Sequence, residues 1–294
     1  MDKTVMAYGK TFDALKANIL TAALPYVQKY NGKTIVIKYG GNAMASETLK
    51  LAVMQDIILL SLIGIKVVLV HGGGPEITRN MQAMGLESKF INGLRYTDSK
   101  SVEVVQMTLC GKTNKDLVKL IGCCGGKAIG LCGLDGGMIG AKKIDADPDL
   151  GFVGDIISVN TQPITDIMSC GYIPVIAALG SDENGQVYNI NADTAAAAIA
   201  KALKAESIIL MTDVVGLLRD PEDPSSLISE ANFPMLEELM ADGTITGGMI
   251  PKARCCIDAV EGGVGRAFMI DGRVEHAILI EIFSDEGIGT MVYK

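Results

Sequence analysis

The sequence predicts an α/β fold, a three-layer sandwich with helices on both faces of a central, mainly parallel sheet. Three observations carry this. Short apolar runs alternate with stretches of helical periodicity, as expected of strands buried on both faces and joined by crossover helices. The theme recurs in both halves of the 294-residue chain. Hydrophobic residues make up 49% of it and charged residues 20%, which suits a packed core rather than a disordered chain.

The elements follow in order. Over residues 11–30, Phe12, Leu15, Ile19, Ala23 and Val27 recur at nearly helical spacing, and Pro25 inside that pattern predicts a kink. This helix precedes the first core strand, so it is an appendage with one apolar face, docked either on its own domain or on another subunit. Strands are expected at 34–38, 66–71, 127–131 and 172–177, with helices at 47–63, 75–84, 99–121 and 161–170. Residues 139–157 are glycine-punctuated and alternating, which predicts antiparallel hairpins at a sheet edge. The second half continues with helices at 192–204, 235–241 and 252–260 and strands at 207–212, 265–270 and 290–292. The excursion at 220–226, holding Pro221 and Pro224, reads as an exposed loop, and a lobe boundary is expected near 179–186.

Composition excludes several classes. A net charge of −8 argues against nucleic acid, whose binding is dominated by clustered Lys and Arg. Seven cysteines without a C-x-x-C pair indicate neither a disulfide framework nor a zinc site, and read as small buried residues in a reducing cytoplasm. The N-terminus lacks a signal-like apolar segment, and the greasiest run, 57–70, is interrupted and falls short of the ~20 residues a spanning helix needs. Gly-Lys-Thr occurs at Gly9, Gly32 and Gly111, but Thr4, Val27 and Gln106 stand where a P-loop needs its first glycine. The dinucleotide fingerprint fails too, because Ile77 follows Gly72 and Gly74 at its last position.

What remains is a set of phosphate-compatible devices. Lys38-Tyr39-Gly40-Gly41 ends an apolar run, and Gly248-Met249-Ile250-Pro251-Lys252 opens a helix, with Pro251 where a missing N–H costs nothing. Glycine turns bare backbone N–H groups and lysine adds a mobile point charge, so the two halves are expected to close on one polyanionic group, phosphate. His71-Gly72-Gly73-Gly74-Pro75 follows a strand and opens a helix; alone it fits a ligandless βα turn equally well. Arg95 suits bidentate capture of a carboxylate, although a surface arginine is the more ordinary reading. Asn189, Asn191 and Asp193 run into an alanine-rich helix, where they serve as caps or as site residues. Asp213 closes a buried strand, the end at which open α/β sheets bind ligands.

Together these segments closely resemble the amino acid kinase family. The resemblance is collinear over residues 33–292 and rests on VIKYGGNAM (36–44), VHGGGPEI (70–77), NGLRYTD (92–98), YNINADTAAA (188–197), LMTDVVG (210–216) and TGGMIPK (246–252). It implies a two-lobed fold, with residues 31–180 binding an acylated amino acid and 181–294 binding ATP with Mg²⁺. Within the family, the chain is similar to members that phosphorylate the γ-carboxylate of N-acetyl-L-glutamate. Carried over by motif, Lys38 and Lys252 would stabilise the transferring phosphoryl group, held in place by Asp193. Gly40 and Gly41 would line its path; Gly73, Gly74, Arg95 and Asn189 would hold the acceptor; Asp213, Gly216, Thr246 and Gly248 would contact ATP. No metal ligand is expected from the protein itself. The kinked helix (1–30) and the C-terminal segment from His276 to Thr290 resemble the arginine-inhibited branch. That implies a homohexamer of linked dimers and an L-arginine site near Tyr26, Glu281 and Gly287. Tyr96 departs from the smaller aliphatic residue usual in the family. A glutamate 5-kinase-like carboxylate kinase and a non-catalytic amino acid sensor on the same scaffold are the competing readings.

Overall fold

The computed structural model describes residues 3–44, 46–91 and 93–294; side chains are described from residue 13 onward, save that of Asn42. The expected kinked helix is present as α1 (Lys3–Ala22) and α2 (Leu24–Tyr30), bent by 34°. Pro25 sits in the first turn of α2, where it can donate nothing back to the preceding turn. The Phe12 side chain of the predicted apolar stripe lies outside the described residues.

Eight strands form the main sheet. They are β1 (Thr34–Tyr39), β2 (Lys66–His71), β5 (Ala128–Cys132), β8 (Ile173–Ala177), β11 (Ser207–Thr212), β12 (Glu230–Asn232), β13 (Arg266–Asp271) and β14 (Thr290–Tyr293), in the order β12-β14-β13-β11-β1-β2-β8-β5. All neighbours are parallel except β13 and β14. The sheet runs unbroken through both halves of the chain, with β1 paired to β2 on one side and to β11 on the other. Strand order therefore reverses at β1, which opens a crevice beyond the carboxyl ends of β1 and β11, where α/β sheets bind ligands.

Period-two alternation divides the core between the two faces. Ile35, Ile37 and Tyr39 pack toward α3 (Glu47–Leu62), α6 (Asn114–Cys123) and α11 (Ala277–Ile282). Val36, Val68, Ile208 and Leu210 pack on the other face, under α7 (Gln162–Ser169), α8 (Ala192–Ala202), α9 (Phe233–Ala241) and α10 (Met249–Glu261). Lys38 shares the second face with Val36, and this alternation is what aims its side chain at α8. Small side chains at Ala195, Ala196 and Ala200 let α8 press close to the sheet.

The expectations are refined in three places. Residues 139–157 hold the expected antiparallel pair at a sheet edge, although that sheet is not the main one. β6 (Ile139–Lys143) and β7 (Gly154–Val159) join β9 (Leu179–Ser181) and β10 (Val187–Asn189) in a separate four-stranded sheet, because β8 leads straight into β9 and draws this segment over the crevice. The helix expected at 99–121 is α5 (Ser99–Gln106) and α6 joined by a π-helical stretch, Met107–Thr113, whose periodicity resembles that of its neighbours. The small hairpin β3 (Phe90–Ile91) and β4 (Leu94–Arg95), the short strand β12 and the helix α11 carry too few residues to show a period.

Candidate functional site

Two lysines 214 positions apart meet on one carboxylate. Lys38, near the end of β1, places Nζ 3.0 Å from Asp193 Oδ1, and Lys252, in the first turn of α10, places Nζ 2.8 Å from Asp193 Oδ2. Asp193 is held at the start of α8 by Asn191, whose Oδ1 accepts from the N–H groups of Asp193 (2.9 Å) and Thr194 (3.1 Å). The free N–H ends of that helix favour an anion there. Burial alone would push the Asp193 carboxyl up, but the ammonium groups of Lys38 and Lys252 hold it below the usual carboxylate range. One carboxylate against two ammonium groups leaves a local positive charge, which suits a polyanion.

The floor of the crevice is a cavity of about 730 Å³ lined by Asp193, Lys252, Gly248, Asn191 and Cys255. Cys255 donates from Sγ to Asp193 O at 3.2 Å, and burial pushes its thiol up to about 12, so it is no nucleophile at neutral pH. Gly40 lies beside the lysine: a methyl group there would sit 3.2 Å from Lys38 Nζ. Gly41 has φ +67° and abuts Asp213, so a methyl group would fall 2.6 Å from its Oδ1. Gly41 therefore joins the β1 and β11 ends in a way only glycine permits.

A smaller cavity of about 170 Å³ continues from the first, sharing Asn191 and Val153 with it, and is lined by Gly73, Gly74, Arg95 and Asn189. Arg95 is buried. Its Nη2 donates to Gly74 O and Thr78 Oγ1 at 2.9 Å each, Nη1 donates to Ser88 Oγ, and the guanidinium stacks on Phe90 with its carbon 4.6 Å from the ring centroid. The hairpin β3–β4 is thus strapped to α4 (Gly74–Ala83) across this cavity. Asn92, first residue of the NGLRYTD motif, lies outside the described residues.

Tyr26, Glu281 and Gly287 line a third cavity, of about 650 Å³, between α2 and the C-terminal segment. Tyr26 donates its hydroxyl to Asp285 at 2.5 Å and meets Phe283 edge-to-face. Glu281 accepts from the N–H groups of Ile288 (2.9 Å) and Gly289 (3.1 Å), while burial raises its pKa. Glu230, Asp285 and Glu286 also stand on the wall and, with Glu281, outnumber Lys29 and Arg266 there, so the balance of charge leans toward a cation.

The motif residues are thus brought together in three places. Asp213, Gly216 and Thr246 line none of these cavities: Asp213 abuts Gly41, Gly216 packs against Thr290 and Leu227, and Thr246 lies on an exposed turn whose carbonyl accepts from Met249 N at 3.2 Å. Sequence reasoning missed Cys255, Val153 and Gly154 as wall residues, since apolar and glycine positions far apart in the chain carry no local signal. Among the described residues, no group of three or more His, Cys, Asp or Glu could hold a metal ion, and no helix is long and apolar enough to cross a membrane.

Comparisons with known proteins show the family of the chain. The model of the amino acid kinase family matches residues 33–271. The chain is 58% identical to an acetylglutamate kinase of Brachyspira hyodysenteriae over 95% of its own length and 97% of the relative's. It is 56% identical to the acetylglutamate kinase of Clostridium beijerinckii, covering 95% and 98% of the two chains. Among solved structures, N-acetylglutamate synthase of Neisseria gonorrhoeae, complexed with coenzyme A and N-acetyl-glutamate, superposes with a TM-score of 0.83 at 25% identity, covering 95% of this chain and 63% of that one. A kinase by its relatives, this chain belongs to the amino acid kinase family.

Proposed function

We propose that the protein transfers the γ-phosphoryl group of ATP to the γ-carboxylate of N-acetyl-L-glutamate, giving N-acetyl-L-glutamyl 5-phosphate and ADP. The convergence of Lys38 and Lys252 on Asp193 at the floor of the crevice carries this reading. The nucleophile is a carboxylate with a solution pKa of about 4.3, already ionised at neutral pH, so the reaction needs no general base. The site offers no His there, and its one thiol stays protonated. The obstacle is repulsion between the carboxylate and the triphosphate, and two preorganised ammonium groups oppose it. Asp193 spaces them and keeps them aimed while the site is empty. Mg²⁺ would arrive with ATP as part of that substrate.

The acceptor occupies the smaller cavity, with its amino acid end on Gly73, Gly74, Arg95 and Asn189 and its γ-carboxylate reaching Lys38 past Gly40 and Gly41. ATP enters from the side of residues 181–294, over Asp213, Gly216 and the 246–252 turn. L-arginine is proposed for the third cavity, its guanidinium drawn by Glu281 and its acidic neighbours, beside the α2 anchor at Tyr26. Coupled ADP release with N-acetyl-L-glutamate, with and without L-arginine, is the test. Turnover suppressed by arginine is expected; turnover with free glutamate alone would move the protein to the glutamate 5-kinase reading, and arginine binding without any turnover would leave a sensor.

A further inference from the structure

His71, fully buried at the end of β2, has no part in the chemistry above, yet its hydrogen bonds define one tautomer. Asn114 opens α6 and reaches into the sheet. Its Oδ1 accepts from Lys115 Nζ at 3.0 Å, so its amide faces inward, giving one hydrogen to Val175 O (2.8 Å) and leaving the other shared between Leu131 O (3.2 Å) and the His71 ring. The same amide nitrogen lies 3.0 Å from His71 Nε2. An amide NH₂ only donates, so Nε2 accepts, and the single proton of the neutral ring sits on Nδ1. Nδ1 donates to Gly72 O at 2.9 Å. Burial holds the imidazole down to about 4, which keeps it neutral at the pH of the reaction.

The Gly72 carbonyl and the Gly73 N–H belong to one planar peptide unit, so fixing the first orients the second. Gly73 lines the smaller cavity, and the π-helical stretch before Asn114 closes in behind it: a methyl group on Gly73 would meet Leu109 at 2.7 Å and Thr113 Oγ1 at 3.3 Å. Gly130 completes the arrangement, since a methyl group there would fall 1.8 Å from Asn114 Oδ1. We propose that His71, locked by Asn114, is a positioning residue that sets the Gly72–Gly73 peptide and thereby the N–H that Gly73 presents to the acceptor substrate. This rests on the acceptor reading of the smaller cavity.

Two near-isosteric variants separate the two hydrogen bonds. Asparagine at 71 puts an amide nitrogen where Nδ1 stands and keeps the Gly72 bond; glutamine puts its amide near Nε2 and keeps only the Asn114 bond. With His71→Asn, KM for N-acetyl-L-glutamate should stay within about twofold of the parent, and with His71→Gln it should rise about tenfold, the scale of one lost hydrogen bond. KM for ATP should not move in either. Gly130→Ala, remote from the cavity, should displace Asn114 and raise the same KM. A purely structural histidine would instead lower Tm and the active fraction with both KM values unchanged; that result, or the reverse ranking of the two variants, overturns the proposal. A measurement free of variants backs these up. The chain has only two histidines, so nitrogen-15 spectra of the intact protein resolve His71. Protonated Nδ1 and bare Nε2 are expected between about pH 6 and 8, and the opposite tautomer overturns the assignment. If the parent protein phosphorylates no N-acetyl-L-glutamate, the functional reading fails, while the tautomer still decides the hydrogen-bond arrangement.

Discussion

Asp193 is shared between two ammonium groups that belong to distant parts of the chain. Removing either should take away a preorganised donor, so Lys38→Ala or Lys252→Ala is expected to lower kcat by about 10²–10³, or ~2.7–4 kcal/mol of transition-state stabilisation. Circular dichroism and Tm near the parent's would show the fold intact, and a variant turning over at the parent rate would refute the role. Gly41 provides an independent probe. With φ +67° and the Asp213 carboxylate 2.6 Å from where a methyl group would fall, Gly41→Ala strains the backbone and pushes Asp213 away. A loss of at least about tenfold in kcat/KM is expected in steady-state assays, in line with backbone strain of ~1–3 kcal/mol.

At the scale of elements, α3 and α11 are joined by a buried acid. Asp56 of α3 lies 2.6 Å from His276 Nδ1 through Oδ1, while its Oδ2 is buried without a partner. Burial raises the Asp56 pKa to about 6, against the opposing pull of His276 and of the first N–H groups of α11. The folded state then keeps a proton that the unfolded chain releases, so the stability this proton confers is present at low pH and is lost as pH rises from about 4 to about 6. Urea melts should show the parent losing about 3 kcal/mol relative to Asp56→Asn across that window. Parallel pH slopes in the two proteins would rule this out. The contact thus joins α11, which carries Glu281, to α3, which follows the Gly40–Gly41 turn in the chain.

On the scale of the whole molecule, the described side chains of α1 stand clear of their own domain: Leu15 is 54% exposed, Ile19 60% and Leu20 75%. The 11–30 segment is thus docked on its own domain only through α2, and the exposed apolar side chains of α1 suit packing on another subunit. The proposed hexamer uses this helix, and the bend at Pro25 leaves α2 seated beside the third cavity through Tyr26 and the buried Tyr30. A chain lacking the residues before Tyr30 should elute from a sizing column as a smaller assembly, keep its turnover and lose most of its response to L-arginine. An unchanged arginine response in that truncation would separate inhibition from assembly.

The alternation of strands and helices, the kink at Pro25 and the order of the motifs were all determined by the sequence, because each is a local regularity of period two or 3.6, or a backbone constraint of Pro and Gly. Lys38, Asp193 and Lys252 were legible as chemistry-bearing residues at element ends. Their meeting was expected from the paired glycine–lysine segments and from the family resemblance, but its geometry was not legible, since it depends on β1 turning Lys38 to the α8 side of the sheet and on α10 lying across α8. The second sheet, the π-helical stretch and the His71–Asn114 lock were decided by tertiary structure alone. Pairing between distant strands and hydrogen bonding between buried polar groups leave no periodicity in the chain that makes them.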